Sequence, residues 1–228
     1  MIVVYEGPNG CGKAAQINLL MGDLRAAGVP CETFYDPGIK DDDPCLTLRH
    51  YARYQVRDPL TSVYLFCAAR SELNYVVSSW LRFNPNGCVV LDRYMLSTYV
   101  YQPLKLASDL GMSLEDARRL VLGVCSALPI LPVDVLIYLD VPSELAVSRM
   151  SKSSRSVDSG SDEYEKRGLQ FASRLRASYH EIVGSGEMSG CPVDLGRLVV
   201  TVSQNNGQTP QEIYAGYRQR VFSALVPK

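Results

Sequence analysis

Histidine is nearly absent from this sequence: His50 and His180 are the two in 228 residues. Neither stands in a metal-ligand or nucleophile–base spacing, so both read as surface or packing residues and imidazole catalysis is not expected. An excess of charge is also missing, with 23 Lys+Arg against 24 Asp+Glu, a net charge of −1 and a pI of about 6.1. A partner of polyanions gains from counterion release through a clear basic excess. Nucleic acid is therefore not the expected partner, and any phosphate chemistry should sit in a local pocket. No apolar run approaches the ~18–20 residues of a spanning helix, so no membrane partner is expected. The seven cysteines (11, 31, 45, 67, 88, 125 and 191) include no C-x-x-C pair. Their odd count is unlike a secreted disulfide framework, and Cys67 and Cys88 lie in apolar runs where a thiol acts as a small hydrophobe. The chain opens on MIVVYEGPNG, a strand pattern. No signal peptide is expected ahead of it, and the reducing cytoplasm is the expected compartment.

What is present alternates. Short runs rich in β-branched residues over 2–5, 31–35, 88–91, 135–139 and 198–202 read as strands. They are continuously apolar, as parallel strands covered on both faces are. Helical spacing fits 13–27, 46–54, 58–82, 97–110, 114–127, 143–150 and 162–183. Asp58-Pro59 places proline at a first helical position, and Thr209-Pro210-Gln211-Glu212 forms a capping box at the start of a last helix. Alternating strands and helices imply right-handed crossovers and a parallel sheet. The length suits a single domain over 1–228 with a small insertion. A chain this long buries roughly 70% of its unfolded surface without metal or disulfide staples. Two stretches interrupt the pattern. Residues 151–161 (SKSSRSVDSGS) hold six serines with Lys152 and Arg155, and residues 184–197 hold four glycines and a proline. The second reads as a surface loop; the first is either a solvated linker or a mobile lid.

The most informative residues come early. The first strand runs into Gly7-Pro8-Asn9-Gly10-Cys11-Gly12-Lys13 and then a helix, which is G-x-x-x-x-G-K in the strand–loop–helix context that a phosphate loop requires. Glycines let successive backbone N–H groups point at one phosphate, the helix N-terminus adds partial positive charge, and Lys13 bridges the outer phosphates. The motif normally continues with Ser or Thr as a Mg²⁺ ligand. Here Ala14 and Ala15 follow, and alanine ligates nothing. Water fills the vacancy in one reading, since Mg²⁺ keeps several waters and leans on substrate phosphates. In the other, metal use is crippled.

Past the third strand stand Asp92-Arg93-Tyr94, Ser97-Thr98 and Tyr101-Gln102. Ligands gather outside the carboxyl ends of strands in open α/β sheets, which puts Asp92 and Arg93 on the phosphate-loop side. Arginine there clamps a phosphate in a bidentate grip, or pairs with Asp92 structurally. Phe66 and Arg70, four apart, share one helix face. They suit a planar base with a carbonyl edge, or core packing.

Together these residues resemble the thymidylate kinase family nearly end to end. The likeness runs through Glu6-Gly7…Gly10-x-Gly12-Lys13…Gln16, Asp36-Pro37-Gly38, Phe66-Cys67-Ala68-Ala69-Arg70, Asp92-Arg93-Tyr94…Ser97-Thr98…Tyr101-Gln102, Leu139-Asp140-Val141-Pro142-Ser143-Glu144 and Asp162-Glu163-Tyr164-Glu165. The resemblance implies a three-layer α/β/α P-loop fold, with a five-stranded parallel sheet and a short lid at 151–161. It implies ATP and Mg²⁺ as cofactors, dTMP or a related pyrimidine deoxynucleotide as the small-molecule partner, and a cytoplasmic homodimer. Residues 7–15 would hold ATP. Phe66 would stack on the base, Arg70 reach its carbonyl edge, and Thr98, Tyr101 and Gln102 line the base and sugar pocket. Asp36, Pro37 and Arg49 would belong to the same substrate site. Arg93 would contact the acceptor phosphate, and Asp92 is the candidate metal ligand. Lys13, Arg93 and Arg155, with Lys152 or Arg149 as alternatives to Arg155, would supply the positive charge for transfer.

Three positions depart from the family pattern. Asn9 stands where a carboxylate is usual, Ala14 replaces the metal-binding hydroxyl, and Tyr35 occupies a frequent arginine position. Three functions stay open from the residues: phosphorylation of dTMP to dTDP; phosphorylation of a 5-modified pyrimidine deoxynucleotide, such as 5-hydroxymethyl-dUMP, or of hydroxymethyluracil in DNA; and nucleotide binding without turnover. A hydroxyl acceptor would need a base such as Asp92 or Asp36, whereas a phosphate acceptor needs none.

Overall fold

The computed structural model describes residues 1–36, 44–151 and 168–225. Strands β1 (Ile2–Glu6), β2 (Cys31–Tyr35), β3 (Cys88–Asp92), β4 (Val135–Asp140) and β7 (Leu198–Ser203) form one parallel sheet in the order β2-β3-β1-β4-β7. Order reverses beside β1, the arrangement that opens a crevice at the strands' carboxyl ends.

Alternation along each strand feeds two separate cores. Ile2, Val4, Val89, Leu91, Leu136 and Tyr138 face one side, under helices α3 (Pro59–Phe83), α4 (Met95–Leu110), α5 (Leu114–Cys125) and α7 (Gly168–Ser185). Val3, Tyr5, Val90, Ile137 and Leu139 face the other, under α1 (Lys13–Ala26), α6 (Ser143–Ser151) and α8 (Pro210–Leu225). The three-layer expectation holds. Strands β1, β3 and β4 are buried almost throughout, but the continuous apolar reading fails at the edges, where β2 and β7 alternate and Tyr35 is 48% exposed. An edge strand has one neighbour and less helix above it, so every second side chain meets water.

The helix starts follow local chemistry. The Asp58 carboxylate accepts from Leu60 N (3.3 Å) and Thr61 N (2.9 Å) ahead of Pro59, and Thr209 and Glu212 form the expected reciprocal cap. Each such cap is worth about 1 kcal/mol. Three expectations need correction. The helix expected over 46–54 is instead α2 (Pro44–His50) passing into a π-helical turn, Tyr51–Gln55, closed by Val56 N donating to Tyr51 O. Helix α4 starts two residues earlier than expected, at Met95 rather than 97, because the buried Glu6 carboxylate receives the N–H groups of Tyr94 and Ser97 at its start. Within 184–197 lies a small hairpin, β5 (Glu187–Met188) with β6 (Cys191–Pro192), turning at Ser189 and Gly190 with φ of 54° and 72°. The expected lid lies outside the described residues except Ser151, as does the acidic start at 162–165. All seven cysteines are free, and Cys67 and Cys125 share a thiol contact at 3.6 Å in one core. Among the described residues, no helix is long and apolar enough to cross a membrane.

Candidate active site

The loop between β1 and α1 curls as its glycines require. Gly7, Gly10 and Gly12 take φ of 143°, 79° and 89°, a region L side chains rarely adopt. Space is as tight as conformation: a Cβ on Gly7 would stand 2.7 Å from the Leu139 carbonyl oxygen, and one on Gly10 would overlap the carbonyl oxygen of Ala146. The loop is held from its far side by Gln204, which donates to Cys11 O (2.8 Å) and accepts from Arg149 Nη1 (2.8 Å). No side chain caps α1 and no acid lies in its first turn, so its N-terminal field stays open to an anion. Lys13, 9% exposed, holds its Nζ 3.5 Å from Gly7 O and 3.8 Å from Asp92 Oδ1. Ala14 and Ala15 sit half-buried on the first turn.

Across from this loop is a cleft of about 440 Å³ lined by Asn9, Asp36, Arg49, Arg53, Phe66, Arg70, Arg93, Ser97, Thr98, Tyr101 and Gln102. Its base end is built on α3. Arg70, 2% exposed, gives Nε to Asp36 Oδ2 at 2.8 Å, pairs with the same oxygen through Nη2, and gives Nη1 to Thr98 Oγ1 at 2.5 Å. Asp36 Oδ1 is buried without a hydrogen-bond partner among the described residues. Burial pushes the Asp36 carboxyl up, with Arg70, Arg49 and Arg93 pulling it back. Burial also works against the Arg70 charge, but Asp36 outweighs it and the guanidinium is held ionised. Phe66, 7% exposed, stands one helical turn before Arg70 on the same wall.

The other end belongs to Arg93. Its φ is 76°, uncommon for a residue with a side chain. Its backbone N–H meets Tyr5 O at 2.9 Å as the chain leaves β3. The guanidinium gives Nη2 to Asn9 Oδ1 (2.6 Å) and Tyr101 OH (3.3 Å), and Nη1 to Ser97 Oγ (2.9 Å) and Tyr179 OH (3.3 Å). It also lies over the Tyr101 ring, 5.0 Å from the centroid. The link from Arg93 to Asn9 ties the base cleft to the phosphate loop. Pro8, Asn9 and Tyr101 also border a more apolar cavity of about 350 Å³ with Met150, Phe171 and Leu175.

The phosphate loop so matched is part of a longer likeness. The sequence model of the thymidylate kinase family matches residues 5–204. A thymidylate kinase of Thermomicrobium roseum is 32% identical over 182 residues, covering 78% of this chain and 79% of its own length. One from Chlorobium phaeobacteroides is 31% identical over 191 residues, covering 81% and 83%. One from Chlorobaculum parvum is 30% identical over 234 residues, covering 99% and 95%. The chain belongs to the thymidylate kinase family. It is a nucleoside monophosphate kinase, and so a phosphotransferase.

Within this thymidylate kinase framework, the cleft brings together Asp36, Arg49, Phe66, Arg70, Arg93, Thr98, Tyr101 and Gln102 of the expected substrate site, with Asn9 of the expected ATP loop on the same wall. Pro37 and Arg155 lie outside the described residues. Two lining residues were not anticipated. Arg53 sits four residues after Arg49, a spacing that signalled it, and Ser97 lay inside the quoted motif without a role. Behind Arg93 stand Glu6, which opens the quoted phosphate-loop motif but carries no expected role there, and Tyr179, which no motif marks and which is 86 residues away from Arg93 along the chain. On the metal side, no group of three His, Cys, Asp or Glu side chains converges among the described residues.

Proposed function

We propose that the protein transfers the γ-phosphoryl group of ATP to the phosphate of dTMP, giving dTDP and ADP. The observation that carries this is the Arg93–Asn9 contact at 2.6 Å, which puts a guanidinium of the base cleft against the phosphate loop. The thymidylate kinase relatives support the choice of base. In this reading residues 7–15 hold the ATP phosphates. Phe66 stacks on the base while Arg70, fixed by Asp36 and Thr98, meets its carbonyl edge. Thr98, Tyr101 and Gln102 border base and sugar, Arg49 adds positive charge, and Arg93 holds the acceptor phosphate.

The acceptor oxygen is already an anion near neutral pH, so no general base is required. An acceptor phosphate oxygen attacks the γ-phosphorus and the bond to the β-bridging oxygen breaks, ADP leaving with that electron pair. Catalysis is positioning and charge neutralisation. Lys13 and Arg93 supply cations from rigid elements. By family resemblance, residues 151–161 act as lid, Arg155 adds a third cation, Pro37 borders the acceptor, and the enzyme works as a cytoplasmic homodimer. The donor set fits a sparsely held Mg²⁺: Asp92 Oδ1 is buried with no hydrogen-bond partner among the described residues, and Ala14 adds no ligand. Asp92 would hold the ion, directly or through water, with the nucleotide phosphates providing the rest. Bound there, it would neutralise charge on the transferring group.

A second reading has one observation in its favour. Among the described residues the buried Asp36 Oδ1 has no hydrogen-bond partner, and a hydroxymethyl group on the base carries a donor that the methyl of thymine lacks. Measuring ADP release with dTMP, dUMP, 5-hydroxymethyl-dUMP and hydroxymethyluracil-containing DNA in parallel separates the readings. Highest kcat/KM with dTMP is expected. Tight binding of dTMP and ATP with no ADP at any Mg²⁺ or Mn²⁺ concentration would overturn the catalytic reading.

A further inference from the structure

Behind Arg93 lies a carboxylate that the proposed transfer does not touch. Glu6, at the end of β1, is fully buried and accepts four hydrogen bonds. Its Oε1 takes the N–H groups of Tyr94 (2.8 Å) and Ser97 (3.1 Å), which caps α4. Its Oε2 takes the hydroxyl protons of Ser97 (2.6 Å) and Tyr179 (3.1 Å). Those two hydroxyl oxygens are the ones that receive Arg93 Nη1, at 2.9 and 3.3 Å. Among the described residues no carboxylate hydrogen-bonds Arg93 itself.

We infer that Glu6 is the positioning residue for Arg93, acting through Ser97 and Tyr179. A hydroxyl has one proton. The two hydroxyls also lie 3.2 Å from one another, but the carboxylate is the stronger acceptor; by drawing both protons toward itself it turns both sets of lone pairs toward the guanidinium. Arg93 is thereby aimed by a negative charge one hydroxyl away. A direct ion pair would set a second anion on the guanidinium against the incoming phosphate; the relay touches Arg93 Nη1 only through two neutral hydroxyls and keeps the carboxylate one hydroxyl further away. The backbone agrees, since the left-handed φ of Arg93 is retained where Glu6 fastens the next residue, Tyr94. The relay also joins α7 to the site, because Tyr179 is otherwise packed in the core, stacked on Tyr138 at 5.2 Å.

This inference rests on the reading of Arg93 as the group that holds the acceptor phosphate, so the test carries an arm for each. Glu6→Gln keeps an oxygen for the two backbone N–H groups and places an amide donor where Oε2 received the hydroxyls. The helix cap survives while the hydroxyl polarity reverses. Steady-state kinetics with the full chain should show KM for dTMP raised roughly tenfold in Glu6→Gln and severalfold in Tyr179→Phe, with KM for ATP within about twofold. The double variant should be markedly less impaired than the product of the single effects, because both break one relay. An unchanged KM for dTMP in both single variants, or fully multiplicative effects, overturns the relay. If Arg93→Ala itself leaves KM for dTMP unchanged, the Arg93 reading fails first. Should Glu6→Gln not fold, Tyr179→Phe and Ser97→Ala decide alone.

Discussion

Removing Arg70 tests the buried pair at the base end of the cleft. Asp36 is 4% exposed and Arg70 2% exposed, so neither charge has water to fall back on. Replacing Arg70 by Leu leaves the Asp36 carboxylate buried with no described partner for either oxygen, since Oδ2 is held by Arg70 and Oδ1 has none. Breaking one side of such a pair costs about 3–5 kcal/mol. That is a large part of the ~5–15 kcal/mol available to a domain. Replacing both residues, Asp36→Ala with Arg70→Leu, removes the stranded charge and should return stability to within about 1–2 kcal/mol of the parent. The pH dependence has a definite sign. Burial already raises the Asp36 carboxyl against the pull of Arg70, and losing that pull raises it further. A raised carboxyl favours the folded state at low pH and loses that contribution as pH climbs through its folded value. The deficit of Arg70→Leu should therefore be greatest at neutral pH and shrink toward pH ~4. Urea unfolding of the nucleotide-free protein at pH 4.5 and 7.5 provides the assay. A single variant as stable as the parent at pH 7.5, or a double variant as unstable as the single, would refute the argument.

Other consequences follow from the same geometry. Gly10→Ala puts a Cβ against the Ala146 carbonyl at φ 79°; it should raise KM for ATP at least tenfold and cost about 1–3 kcal/mol in thermal unfolding. Ala14→Ser restores a hydroxyl beside Lys13 and should lower the Mg²⁺ concentration needed for half-maximal rate, which a metal titration of kcat reads directly. Asp140 is held low: burial opposes this, but hydrogen bonds from Arg176 (2.7 Å) and His180 (3.0 Å) prevail. Its contribution is present above pH ~4 and is lost as pH falls through its folded value. Asp140→Asn should thus lose about 1 kcal/mol at pH 7, reduced by the exposure of Arg176, and progressively less as pH falls below ~4, as urea midpoints would show.

Much of the site was legible because its motifs are contiguous. Gly7 to Lys13 carries its own instructions: glycines where φ is positive, then a helix whose first turn bears the lysine. Phe66 and Arg70 declared a shared face by spacing, and Asp58 and Thr209 declared helix starts. These are local interactions, and the sequence neighbours that make them are the spatial neighbours too. The π-helical turn after His50 was not legible, since its residues are spaced like an ordinary helix and the difference lies in how Ala52 packs and gives its carbonyl to Ser62.

Sequence alone determined the parallel α/β architecture, the phosphate loop, the absent hydroxyl at Ala14 and the family resemblance, since each depends on residue type and short-range order. Tertiary structure alone decided which polar groups meet. Asp36 reaches Arg70 across 34 residues and Tyr179 reaches Glu6 across 173. A carboxylate on a strand, a tyrosine on a distant helix and an arginine after a turn carry no mark of one another in the chain. The sheet brings them to one edge, and burial then compels each unpaired group to find the others.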